Sequence, residues 1–435
     1  MRPLLALNAL NFFMADVRDG LGPYLAIYLL TVQKWDEASI GIVMSIAAVA
    51  GIVAQTPAGA VVDATRAKRA LMVTTALAIT IASLMLPWVS GFWAVAISQG
   101  VAHLAGAIFA PAIAAVTLGI VGHRAFSRQI GRNESFNHMG NAFAAAVAGF
   151  AAYAWGPAVV FFLLSVMAIA SIVSVLAIPA NTIDHDVARG LHDCPPAQSH
   201  GTKESHGTKE GEGPSGLQVL LTCRPLLIFA VCAVLFHLAN AAMLPLVGQK
   251  LALQDKNIGT SLMSACIVAA QVVMVPMALL VGAKADSWGR KPLFLAGFLV
   301  LPIRGVLYTI SDNPFWLVGV QLPDGVGAGI YGANFPIIIA DLMRGTGLFN
   351  VAHGAVITAQ SIGAALSTTV AGLVTAHAGY SAGFLTLAGC AAVGAALFLV
   401  AMPETAALGE SESASTDESS GMNTTRLSLA PHGLD

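Results

Sequence analysis

Apolar stretches of about 20 residues recur along nearly the whole chain, separated by short breaks of charged residues, proline or glycine. A hydrocarbon layer of about 30 Å is crossed by a helix of about that length, so the pattern predicts membrane-spanning helices. The apolar windows fall near 4–30, 38–62, 70–89, 92–120, 135–156 and 158–179, then near 225–248, 258–281, 292–310, 314–341, 351–376 and 380–402. Twelve spans in two sets of six define an all-α polytopic membrane protein. One bundle is expected over 1–180 and a second over 224–402. Between them, 181–223 carries Asp184, Asp186, several histidines, Pro195-Pro196 and a repeated Gly-Thr-Lys-Glu. That composition cannot bury a core and reads as a flexible linker. The Ser/Thr-rich tail 403–435 reads as disordered.

Composition agrees with the pattern. Of 435 residues 56% are apolar and 10% charged, against about 25% charged in soluble domains. A net charge of −2 gives no reason to expect a nucleic-acid partner. The five cysteines show no C-x-x-C spacing, and no metal site or cofactor is expected. Met1-Arg2-Pro3 leads straight into an apolar segment, so no removable signal peptide is expected. With both termini inside, the inner loops hold most of the Lys and Arg, and the outer ones only Lys34, Lys250 and Lys256. The positive-inside rule therefore places both termini, the linker and the tail in the cytoplasm, with the protein in the cytoplasmic (inner or plasma) membrane.

The two halves resemble each other. Gly59-Ala-Val-Val-Asp63 after span 2 matches Gly282-Ala-Lys-Ala-Asp286 after span 8. Gln99 and Gln321 open spans 4 and 10, and Phe136-Asn137-His138 parallels Phe349-Asn350 with His353. Such order indicates a duplicated six-helix unit.

The stretch Gly282-Ala-Lys-Ala-Asp286-Ser-Trp-Gly289-Arg290-Lys291 resembles the signature loop of the major facilitator superfamily, G-x-x-x-D-x-x-G-R-[RK]. The first copy keeps Gly59, Asp63 and the Lys68-Arg69 pair but has Arg66 and Ala67 where the pattern wants Gly and Arg. The resemblance extends over 4–402 and implies two pseudo-symmetric six-helix bundles around a midplane site. It also implies that these loops latch the halves together on the cytoplasmic side. The other reading of the same residues is a solvated basic turn. Span 5 lacks the Gly-Pro pair usual in the family's drug/proton antiporters. The expected function is secondary active transport of a small solute by alternating access, coupled to protons. A facilitative uniporter and a transport-fold receptor or sensor are the alternatives. No Walker-type loop, H-E-x-x-H set or activated nucleophile points to an enzyme. The partners expected are the solute, protons and the lipid bilayer, with the protein a monomer.

Ionisable groups at membrane depth are expensive and mark candidate sites. On span 1, at about 100° per residue, Asp16 and Asp19 share a face while Arg18 points away. Gly20, Gly22 and Pro23 loosen the same turn. The pair fits either proton coupling or a fixed Asp–Arg cluster. On span 5, Glu134, Asn137, His138 and Asn141 form one polar stripe, with Glu134 and His138 further coupling candidates. Glu134 reads equally as solvated or paired with Arg132. Cavity candidates are Arg18, Gln99, His103, Asn137, Asn141, His237, Asn240, Asp324, Asn350, His353 and Gln360. Each histidine also fits a plain hydrogen bond to backbone. Asp324 reads as partly solvated near the outer side, and Arg304 as snorkelling to the surface.

Overall fold

A computed structural model of the chain describes residues 3–19, 25, 28–29, 32–35, 37–155, 158–191, 215–254 and 259–406. Helices α1 (Pro3–Asp19), α2 (Glu37–Ala64), α3 (Lys68–Met85), α4 (Phe92–Gly106), α5 (Phe109–Trp155) and α6 (Val159–Leu176) make the first half. A short α7 (Gly216–Thr222) precedes the second. That half holds α8 (Arg224–Asn240), α9 (Met243–Gln254), α10 (Gly259–Trp288), α11 (Arg290–Leu307), α12 (Pro314–Gly319), α13 (Gln321–Leu342) and α14 (Phe349–Ala401). No described residue lies in a strand.

Among the described residues, eight helical stretches are long and apolar enough to cross a membrane. At 53 residues α14 would run about 80 Å, more than twice the hydrocarbon thickness. It is two helices meeting at Gly379, where φ is 84°, and α5 likewise breaks at Gly122 with φ 68°. Only a residue without Cβ takes this left-handed turn cheaply. Spans 4, 7 and 10 are each interrupted, between α4 and α5, α8 and α9, and α12 and α13. The outward faces are apolar, as Val53, Ile81, Phe150 and Val173 show. Such a surface is stable against lipid rather than water.

Two expectations are corrected. The fifth span begins after Gly122, not near 135, so Arg124, Arg128 and Arg132 lie on a helix. Spaced four apart, they form one exposed stripe that a helix carries without ending. The start of the linker is ordered: 180–191 forms two 3₁₀ turns, and Ile183, Val187 and Ala188 are buried. The Asp184 N–H donates to Gly119 O at 2.9 Å. The linker over 192–214 and the tail over 407–435 lie outside the described residues.

Among the described residues the halves meet chiefly along two crossings, α2 with α14 and α5 with α10. At the first, a Cβ on Gly59 would land on the Asn350 carbonyl, and at the second a Cβ on Gly131 would meet Ala278 O and Gly282 Cα. Backbones this close require glycine. The buried core runs across both halves at the end carrying the signature loops, joining Leu118, Phe126 and Ile130 to Phe229, Ile339 and Phe349. At the opposite end it separates into Leu29, Val43 and Phe161 in one half and Leu246, Tyr308 and Phe384 in the other. The loop end is closed.

Candidate functional site

Between the halves lies a cavity of about 620 Å³. Its walls come from α1 to α6 and from α8, α13 and α14, which places eight of the sequence candidates on one surface: Gln99, His103, Glu134, Asn137, His237, Asn240, His353 and Gln360. Helical spacing puts Glu134 and Asn137 on one face of α5, and His237 and Asn240 on one face of α8. Glu134 is the only acidic residue in the described lining, which includes no Lys or Arg. Its carboxylate reaches toward α13, where Gly332 leaves room: a Cβ there would stand 3.5 Å from Glu134 Oε2.

Sequence reasoning missed Asn11, Gln55, Ser83, Asn133 and Tyr331 in this wall. Asn133 belongs to a buried chain in which Gln129 Nε2 donates to Asn8 Oδ1 and Asn133 Oδ1 at 3.0 and 2.9 Å. Asn133 Nδ2 in turn donates to Thr117 Oγ1 at 2.8 Å. The i, i+4 spacing of Gln129 and Asn133 was the available signal. Tyr331 stacks on Phe236 and donates to Gln360 Oε1 at 2.9 Å. Gln55 Oε1, Gln99 Nε2 and His237 Nε2 are buried without a hydrogen-bond partner among the described residues. Closed to solvent in this state, they would meet a solute once the wall rearranges around it.

The remaining candidates stand elsewhere. The side chains of Asp16, Arg18 and Asp19, and all of Pro23, lie outside the described residues. Asn141 is half-buried and outside the lining, while His138 faces α10, its Nδ1 2.8 Å from Gln271 Oε1. Asp324 keeps 13% side-chain exposure but stands outside the cavity lining, and Arg304 does not snorkel. Arg304 is 1% exposed, pairs with Asp324, and donates to Tyr308 Oη at 3.1 Å and Asn240 Oδ1 at 2.6 Å. Burial of a guanidinium requires such partners. Asn240 puts this network one side chain from the cavity.

Asn350 is part of the loop-end closure, not of the cavity wall. Its Nδ2 donates to Asp63 Oδ1 at 2.7 Å and to Ala188 O at 3.1 Å, and the Val351 N–H donates to Asp63 Oδ2 at 2.9 Å. Asp63 thus caps the N-terminus of α14 across the halves, where the helix dipole favours an anion. Lys68 is buried and braces the same loop through Val62 O and Thr65 O, both at 2.8 Å, while Arg69 caps α6 through Leu176 O at 2.7 Å. In the second loop Asp286 accepts from Ser127 of α5 at 2.9 Å and pairs with Arg290 at 2.7 Å. Arg290 also pairs with Asp341 at 3.0 Å. Gly289, with φ 87°, lets Glu404 reach the N–H groups of Arg290 and Lys291 at 2.8 and 3.0 Å.

This geometry has parallels among known proteins. The family model described as Major Facilitator Superfamily matches residues 4–357 and again 229–431. Two proteins of Mycobacterium tuberculosis, from strains CDC 1551 and H37Rv, are each named an uncharacterized MFS-type transporter. Each is 55% identical over 400 residues, covering 92% of this chain and 93% of its own. Among solved structures, the proton:xylose symporter XylE aligns with a TM-score of 0.64 at 13% identity, over 92% of this chain and 95% of its own. The E. coli fucose:proton symporter FucP aligns with a TM-score of 0.68 at 14% identity, over 92% and 98%. The human organic anion transporter MFSD10 aligns at 0.64 and 13% identity, over 91% and 98%. At these identities the structures speak for the fold alone. Taken with the family match and the mycobacterial relatives, they establish that the chain belongs to the major facilitator superfamily, as a multi-pass membrane transporter.

Proposed function

We propose that the protein is a proton-coupled secondary transporter that moves a small, uncharged, hydrogen-bonding solute by alternating access between its two halves. The carrying observation is a polar cavity between the halves, closed at one end by side chains that bridge them. A volume of about 620 Å³ suits a single small molecule. Amide, imidazole and hydroxyl groups of the wall offer donors and acceptors in several directions, and unmet Gln55 Oε1, Gln99 Nε2 and His237 Nε2 favour a ligand rich in both, such as a polyol or sugar. With no Lys or Arg in the described lining, an anion has no permanent countercharge there.

Glu134 is the coupling carboxylate in this reading, because it is the one acidic residue in the described lining, which holds no Lys or Arg to fix its charge. Asp324 is neutralised by Arg304. The Lys/Arg distribution puts the latched end in the cytoplasm, so the described state faces outward. The test is counterflow in proteoliposomes with a panel of pentoses, hexoses, polyols and small amides. At least one is expected to exchange. Glu134→Gln should abolish pH-gradient-driven accumulation and spare counterflow, which moves no net proton. Undiminished accumulation in Glu134→Gln removes this residue from coupling, and accumulation by neither protein with intact exchange supports a uniporter.

A further inference from the structure

A second groove, of about 440 Å³, opens on the outer flank of the first half at the loop end. Its walls are Val73 of α3, Leu176 of α6 and Ile183 of the ordered linker, with Arg66, Arg69 and His185 at its mouth. Below it, exposed Leu77 and Ile81 continue the face of α3, and exposed Ile169 and Val173 that of α6. Those spacings of three and four residues make two parallel apolar tracks running down the membrane-facing surface.

The polar mouth is unfinished. Arg66 is exposed and has no ion pair to a described residue. His185 Nδ1 is buried and has no hydrogen-bond partner among them. Burial, and after it the positive charges of Lys68 and Arg66, hold His185 below the ordinary imidazole range, against the opposing pull of Asp184 and Asp186. A basic mouth over an apolar track at a membrane boundary matches a molecule with an anionic head and hydrocarbon tails.

We propose that this groove binds one anionic phospholipid, its phosphodiester at Arg66, beside His185, and an acyl chain between α3 and α6. Arg69 contributes charge while holding the end of α6 through Leu176 O. Neutral phospholipid carries the same tails and a phosphate screened by its own cation, so it gains less from the mouth. Inorganic phosphate lacks the tails and gains little from the groove.

The test is a native mass-spectrometry titration of delipidated full-length protein with phosphatidylglycerol, phosphatidylcholine or inorganic phosphate. Saturable binding of one phosphatidylglycerol is expected, tighter than phosphatidylcholine and not displaced by millimolar phosphate. Arg66→Gln should weaken it about fivefold, the loss of one surface cation. Arg224→Gln removes an exposed charge at the start of α8, outside the groove, and should leave it unchanged. Ala70→Trp, which fills the groove without altering charge, should abolish it. Equal binding of the two lipids, equal losses in Arg66→Gln and Arg224→Gln, full binding in Ala70→Trp, or displacement by phosphate would each overturn the proposal. None of these readings depends on transport.

Discussion

The pair of Arg304 and Asp324 is the sharpest test of how the second half is held together. Arg304 is 1% exposed and its guanidinium is shared by Asp324, Tyr308 and Asn240. Removing one member of a buried pair leaves the other charge uncompensated, a loss of about 3–5 kcal/mol. Asp324→Asn keeps an acceptor and belongs at the lower end; Arg304→Met also strands Asn240 Oδ1 and belongs higher. Removing both charges together should cost only about 1–2 kcal/mol, because a pair replaced by neutral groups returns its desolvation. The double-mutant cycle should therefore show a coupling of at least about 4 kcal/mol, above the range of about 0.5–3 kcal/mol usual for contacting pairs. Unfolding in mixed detergent–SDS micelles, followed by tryptophan fluorescence, measures each corner. Single losses below about 1 kcal/mol, or additivity, would refute the reasoning. A stable double variant that exchanges solute but no longer accumulates it would move proton coupling from Glu134 to Asp324.

Two further expectations concern the loop-end closure. Asp63→Asn sets an amide N–H₂ against the α14 N-terminus and removes a charge-assisted bond of about 1–3 kcal/mol. A cysteine at buried Ala352 should then label faster with a membrane-impermeant thiol reagent on inside-out vesicles, and an unchanged rate would leave Asp63 without a latch role. Gly131→Ala puts a Cβ against Ala278 O and Gly282 Cα, costing about 1–3 kcal/mol in this state and raising labelling at Ala352 likewise. Wild-type labelling and stability in Gly131→Ala would show that the crossing is looser than described.

The spans were readable because lipid imposes a length and a polarity on every crossing, and the duplication because each half repeats its glycines and amides in order. Pairing between distant residues was not. Nothing local in an apolar helix tells that Arg304 meets an aspartate 20 residues later, and a lone arginine there looks like one that reaches for the surface. Asn350 reads as a cavity residue because it opens the same helix as His353; they are three residues apart, but only His353 lines the cavity. The start of span 5 was misplaced because Arg124, Arg128 and Arg132 read as a loop until the helix places them on one exposed stripe. The motif itself misled in degree. The first loop departs from the pattern, yet Asp63 is 5% exposed, while the Asp286 side chain of the well-matched loop is 56% exposed. Where the second loop turns at Gly289 with positive φ, Arg66 needs no such turn, because Lys68 ties the first loop to its own carbonyls.

The way polar groups are satisfied separates holding from binding. At the loop end, Asp63 is met by Asn350 and Val351, Asp286 by Ser127 and Arg290, Asp341 by Arg290 and Thr405, and Glu404 by the first N–H groups of α11. Those bonds join elements of different halves or fasten a loop, and they act without any ligand. In the cavity, Gln55 Oε1, Gln99 Nε2 and His237 Nε2 are buried with no described partner, and each such group costs about 1–3 kcal/mol if left dry. A solute that meets them recovers that cost only in a geometry where both halves close on it, since Gln55 and Gln99 belong to the first half and His237 to the second. Under the proposed alternating access, binding energy would thereby be directed into bringing the halves together around the solute. For the loop end to part, the bonds at Asp63 and Asp286 must be given up at the same stage. In the proposed cycle, the cavity's unmet amides and imidazole would therefore supply the free energy that offsets opening of the loop end.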